Sequence, residues 1–220
     1  YIYRLVEDTE IADVDSLSDD EKENGIDTSK NYYVPYDKGD KDGNRWYLET
    51  PFAIAWSKEN VLFLKTNSGK KGQGMPVVRN PQFYFREGFC WNNVLNPLAR
   101  LLKARIKAVS VNDVGAMSLY SIYNSCPNLY LVAALNSEFL FIYYREFVNC
   151  TVNIQINDIR QLPIIIPNKE QLSFCKELFD NIIELKRKEL SYSDPQKNIA
   201  EDLNIIEKEL DKFVCELYSI

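Results

Sequence analysis

Near the C-terminus, Ile199, Leu203, Ile206, Leu210, Phe213 and Leu217 recur at steps of 4, 3, 4, 3 and 4. An apolar seam of that period predicts one long helix and demands a second element to cover it. Leu172, Cys175, Phe179, Ile182 and Leu185 supply a matching stripe upstream, and 191–196, with Pro195, separates the two. The expectation is an antiparallel helical hairpin over 168–220.

Between residues 31 and 167 the pattern is shorter and β-like. Tyr32 to Tyr36, Trp46 to Leu48, Phe52 to Trp56 and Val61 to Thr66 are aromatic or β-branched runs. They are separated by turn formers such as Asp37-Lys38-Gly39-Asp40 and Lys41-Asp42-Gly43-Asn44. Phe83 to Arg86 and Phe89 to Trp91 read as strands about a turn at Glu87-Gly88. Asn128 to Phe147 reads as one apolar helix, and Ile154 to Ile166 as extended chain. Residues 97–111 fit two patterns. As a helix capped by Asn96, they place Leu98, Leu101, Leu102 and Ile106 opposite Arg100, Lys103 and Lys107. As a strand, they alternate Lys103, Arg105 and Lys107 with Ala104, Ile106 and Ala108. The fold class expected is α+β: a mixed or antiparallel, β-rich domain over 31–167 followed by the hairpin.

Charge divides the chain differently. The net charge is −6, but residues 1–30 hold 3 basic and 10 acidic side chains. Nine of those acids lie within residues 7–23 with few large apolar groups, so 1–30 is expected to be an acidic linker from an upstream domain. Residues 58–107 contain ten cations against only Glu59 and Glu87. Exposed charges more than about 10 Å apart are largely screened at physiological salt, so such a stretch attracts a phosphate backbone whatever the global charge. Lys65, Lys70, Lys71, Arg79, Arg86, Arg100, Lys103, Arg105 and Lys107 are therefore expected to face DNA phosphates. Trp91 joins them as a base-stacking residue. Gln73, Asn80, Asn92 and Asn93 are the polar side chains expected to read base edges in the major groove.

Catalytic signals are weak. Histidine is absent, which removes the commonest general base and the usual metal ligand. Cys90, Cys126, Cys150, Cys175 and Cys215 are odd in number and widely spaced, reading as reduced thiols of a cytoplasmic protein rather than zinc ligands. Asn80-Pro81-Gln82-Phe83 is one residue from the Asn-Pro-Pro-Phe/Tyr motif of adenine methyltransferases. It reads as a loop because Gln82 replaces the second proline and no cofactor-binding glycine loop accompanies it. Gly69 to Gly74 lacks the P-loop spacing, and Glu184-Leu185-Lys186 matches a metal-nuclease motif by spelling alone. The longest apolar region, Leu129 to Tyr144, is interrupted by Asn136, Ser137 and Glu138, so no membrane partner is expected. The chain begins with Tyr and reads as a fragment.

Tyr130-Leu131-Val132-Ala133-Ala134-Leu135-Asn136-Ser137-Glu138-Phe139-Leu140, followed by Ile154-Gln155-Ile156-Asn157-Asp158-Ile159-Arg160-Gln161-Leu162-Pro163-Ile164-Ile165-Ile166-Pro167, resembles the target recognition domains of bacterial restriction-modification systems. There an apolar helix ending in Leu-Asn-Ser precedes a Pro-flanked segment that leads into a long helix. Val34-Pro35-Tyr36-Asp37-Lys38-Gly39, Arg45-Trp46-Tyr47, Phe85 to Trp91 and Ile206 to Tyr218 are similar to the TaqI-like specificity regions of type IIG restriction enzymes and of the PglX phage-exclusion methyltransferases. In those proteins a basic-hydrophobic strand lies near the equivalents of Arg105 and Gly115, which favours the strand pattern there.

The resemblance implies a parent that is a site-specific, adenine-specific DNA N6-methyltransferase, with or without a fused endonuclease. Its S-adenosylmethionine site would lie in an upstream methyltransferase domain of the same chain. The fragment itself would hold no cofactor and no catalytic residue, and its partner would be double-stranded DNA. A rival expectation is a protein-protein assembly module using the heptad helices.

Overall fold

The computed structural model describes residues 3–40, 44–49, 51–67, 81–95, 98–113, 116–191 and 197–219. The chain is α+β and divides into two compact units. One comprises Tyr1–Gly39, Glu49–Glu87 and Lys107–Met117, and the other Asp40–Leu48, Gly88–Ile106 and Ser118–Ile220.

The first unit is built on a four-stranded sheet of order β1-β3-β2-β6, with β1 Tyr3–Arg4, β2 Tyr33–Asp37, β3 Ala53–Ala55 and β6 Val111–Asn112. β3 runs antiparallel to both β1 and β2, pairing Ile54 with Tyr3 and Val34, while β2 and β6 are parallel through Tyr36 and Val111. Val34, Tyr36, Ile54 and Trp56 form the core with Val61 and Leu64 of α2 (Lys58–Asn67). The Val61 to Thr66 run is thus helical rather than a strand. Its apolar residues are consecutive, so either period can bury some of them, and the i, i+3 spacing of Val61 and Leu64 meets the core on one helical face.

The acidic leader is not a linker. Its Ala12 and Ile26 are buried in this core, the latter completely. Ile26 donates its N–H to Trp56 O at 2.7 Å, and the Trp56 indole N–H donates to Lys22 O at 3.1 Å. The acids remain on the outer side of α1 (Asp19–Asn24), where Ser18 and Glu21 form a reciprocal capping box. Ala12 and Ile26, the partly buried Tyr3 and Leu17 packed on the same core, and backbone pairing order a segment whose composition alone reads as unstructured. Gly25 is required where α1 ends: its φ is +96°, and a Cβ would lie 2.7 Å from the backbone of Ser57 and Lys58.

A three-stranded sheet has β4 (Gly88–Asn92) between β5 (Arg105–Lys107) and β7 (Ala116–Leu119); β4, the first two residues of β5 and the last two of β7 belong to the second unit. Residues 98–102 form no helix, so the strand pattern prevails at 105–107. Phe83 to Arg86, expected as a strand, is instead the end of a short 3₁₀ turn (Pro81–Phe83) and the non-strand residues after it, in the first unit. The apolar helix breaks at Asn136 into α3 (Asn128–Leu135) and α4 (Glu138–Tyr143), the latter extended by a π turn at Tyr144–Val148. Ser137 restarts the helix as its N-cap, its Oγ accepting from Leu140 N–H at 3.2 Å. α5 (Ile156–Ile159) is one helical turn within the stretch expected to be extended throughout, begun by a Gln155/Asp158 capping box.

The hairpin forms as expected from α6 (Lys169–Ser191) and α7 (Lys197–Leu217). Phe174, near the start of α6, meets Phe213, near the end of α7, with ring centroids 5.4 Å apart, so the arms are antiparallel. Ile199, Leu203, Leu210 and Phe213 are buried opposite Cys175, Phe179 and Ile182, and α3 packs on both arms. No helix among the described residues is long and apolar enough to cross a membrane.

Candidate nucleic-acid interface

The residues expected to meet DNA fall in different parts of the chain. Lys65 and Arg86 lie in the first unit, where Lys65 is half-buried and donates to Asn24 Oδ1 at 3.1 Å. Arg86 is exposed, with its guanidinium 5.7 Å from the Phe83 ring centroid. Arg100 and Lys103 lie in the second unit, the former exposed and the latter half-buried. Lys70, Lys71 and Arg79, with Gln73 and Asn80, fall outside the described residues.

Trp91, Arg105 and Lys107 are interior, which corrects the expectation that they face phosphates or bases. Trp91 is 2% exposed, packs against Phe89 and points its indole N–H at Ile154 O, 3.4 Å away. Arg105 is 4% exposed and donates to the Cys90 thiol sulfur. Lys107 has no exposure, and its Nζ donates to the carbonyls of Arg86, Ala108 and Ser110 at 3.1, 2.9 and 3.2 Å.

The strand pattern assigned Ala104, Ile106 and Ala108 to the inside. In fact Ala104 is fully buried as that pattern has it, but Arg105 and Lys107 are buried as well, Ile106 is half-buried and Ala108 is exposed. Burying a charged group is tolerable only when polar partners replace its hydration, and these two head groups find theirs on neighbouring backbone and sulfur. Such partners come from tertiary structure, which is why alternation alone misplaced Arg105, Lys107 and Ala108.

No family model and no curated protein matches the chain.

A polar node in the second unit was not foreseen. Glu207 of α7 accepts from the Trp46 indole N–H at 2.5 Å and pairs with the Arg45 guanidinium. Trp46 adopts a φ of +73°, unusual for a bulky residue. It is held there by backbone bonds on both sides: its N–H donates to Ala104 O at 2.9 Å, and its carbonyl accepts from Ile106 N–H at 3.0 Å. Arg45 and Trp46 are 161 or more positions from Glu207, so no local pattern could reveal the contact. Of the polar residues expected to read bases, Asn92 and Asn93 are half-buried, and Asn92 Oδ1 accepts from Asp40 N–H at 3.1 Å.

Cys126 and Cys175 are not activated thiols. Burial pushes Cys126 up and Cys175 up to about 12, the direction opposite to that of a reactive cysteine. No cluster of three metal-ligating side chains occurs among the described residues.

Proposed function

We propose that this chain is the sequence-specific DNA-recognition domain of a restriction-modification N6-adenine methyltransferase. It would bind a short duplex site and present it to an upstream catalytic domain that carries S-adenosylmethionine. A cytoplasmic setting, where host and phage DNA meet, follows from that role. The observation that carries the reading is the concentration of ten cations against two acids within residues 58–107. Lys58, Arg86 and Arg100 of that stretch are exposed, even though Arg105 and Lys107 are interior. The likeness of the Leu135-Asn136-Ser137 element and the Pro163 to Pro167 segment to target recognition domains supports the same class.

The test is binding of this chain to a pool of fluorescent duplexes at two salt concentrations, followed by selection from randomised duplexes. The reading expects log affinity to fall linearly with log salt, at roughly 0.9 per neutralised phosphate, and one short sequence to be enriched. Reversal of Lys70, Lys71 and Arg86 to Glu flattens that slope. Salt-independent binding, or selection that enriches nothing, overturns the reading. Sedimentation of the same samples tells DNA binding from self-association.

A further inference from the structure

A cavity of about 240 Å³ opens on the second unit between the Arg45-Trp46 segment, the Arg100-Leu101 segment, the start of α4 and α7. Its polar residues are of two kinds. Glu207, Asp211 and Asn136 are already engaged: Glu207 with Arg45 and Trp46, Asp211 with the Glu138 N–H at 2.8 Å, and Asn136 with Ala104. They form a fixed wall. Arg100, Glu138, Asn204 and Lys208 also line the cavity, and all four are exposed. Among the described residues none of these four side chains has a hydrogen-bond or ion-pair partner. Asn204 and Lys208 stand four residues apart on α7 and therefore project from one face of it.

The chemistry of this rim is mixed. A surface that only grips phosphates gains nothing from a carboxylate, which repels them. A surface that reads the major groove needs both polarities, because guanine offers acceptors at O6 and N7, cytosine a donor at N4, and adenine one of each at N7 and N6. Arg100 and Lys208 supply donors, Glu138 supplies an acceptor, and Asn204 supplies both. We infer that Arg100, Glu138, Asn204 and Lys208 read base edges of the bound duplex, which rests on the DNA-binding reading above and assigns its specificity to named side chains. Lys208 and Asn204 carried no signal in the sequence, since residues 161–220 hold 8 basic and 12 acidic side chains.

Selection from randomised duplexes with the wild-type chain and with Glu138→Gln, Asn204→Ala, Arg100→Ala and Lys208→Ala tests this. Thermal melting checks that each variant is folded. Glu138→Gln and Asn204→Ala are decisive, because neither removes a cation. Each is expected to relax the preference at one base pair by roughly 5- to 150-fold while leaving the affinity for scrambled duplex unchanged. A wild-type preference preserved in both variants overturns the inference, and so does a loss of equal size on every duplex, which is the mark of a phosphate contact. Failure of the wild-type chain to bind any duplex overturns the DNA reading and this assignment with it, whereas binding with an unmoved preference overturns this assignment alone.

Discussion

The side-chain amide of Asn136 pairs with the backbone of Ala104 as a neighbouring strand would. Its Oδ1 accepts from the Ala104 N–H at 2.9 Å, and its Nδ2 donates to the Ala104 carbonyl at 2.8 Å. The helix break at Asn136-Ser137 thus has a purpose: a continued helix would carry Asn136 in an α-helical turn, whereas the break aims the amide at residue 104, next to the Trp46 bridge. Asn136 is 3% exposed, so water cannot substitute. Asn136→Ala is expected to cost about 1–3 kcal/mol, chiefly from the buried Ala104 N–H left without a partner, since the Ala104 carbonyl still accepts from the Trp46 N–H. Urea unfolding measures it, and a cost below 0.5 kcal/mol (roughly the level of surface substitutions) would refute the assignment.

Lys107 and Arg86 provide an opposed pair. Lys107→Met removes an ammonium group that three carbonyls surround, and is expected to lower stability by about 3 kcal/mol. Arg86→Glu changes an exposed residue and is expected to leave stability within about 0.5 kcal/mol while weakening duplex binding. Parallel unfolding and anisotropy measurements on the two variants check both halves.

Lys103 occupies the left-handed region with φ +58°. Glycine adopts that conformation without a Cβ penalty, so Lys103→Gly is expected to stabilise the fold by about 0.5–1 kcal/mol. An unchanged or lowered urea midpoint would contradict the strain argument.

Glu21 is held at about 2, below its ordinary 4.5, first by the Lys30 ammonium and then by Ser18. A carboxylate depressed in the folded state stabilises above its unfolded value, and that contribution disappears as pH falls from about 4.5 through about 2. Lys30→Ala is expected to return the Glu21 titration toward 4.5 in a carboxyl NMR experiment and to shift the acid limb of unfolding upward in pH.

The five thiols are expected to react with Ellman's reagent in order of access. Cys150 is exposed and reacts first, Cys215 is half-buried and slower, and Cys90, Cys126 and Cys175 wait for denaturant. Rapid modification of more than two thiols in native buffer would show that the second unit opens.

The hairpin was fully legible in the sequence. A 4-3 repeat sustained from Ile199 to Leu217 has one physical solution, and a short Pro-containing connection has one topology for it. The α+β class and the strands at Tyr33–Asp37, Ala53–Ala55 and Gly88–Asn92 followed from local pattern as well. What composition and periodicity misjudged were the places where distant partners change the cost of burial. The leader is ordered by Ile26 beneath Trp56, and Arg105 and Lys107 turn inward because carbonyls and a thiol await them. Glu207 comes to Trp46 across most of the chain. Local sequence sets which faces are apolar. Only the tertiary fold decides which polar groups find partners, because a hydrogen bond or ion pair depends on atoms being brought within about 3 Å and not on their order along the chain.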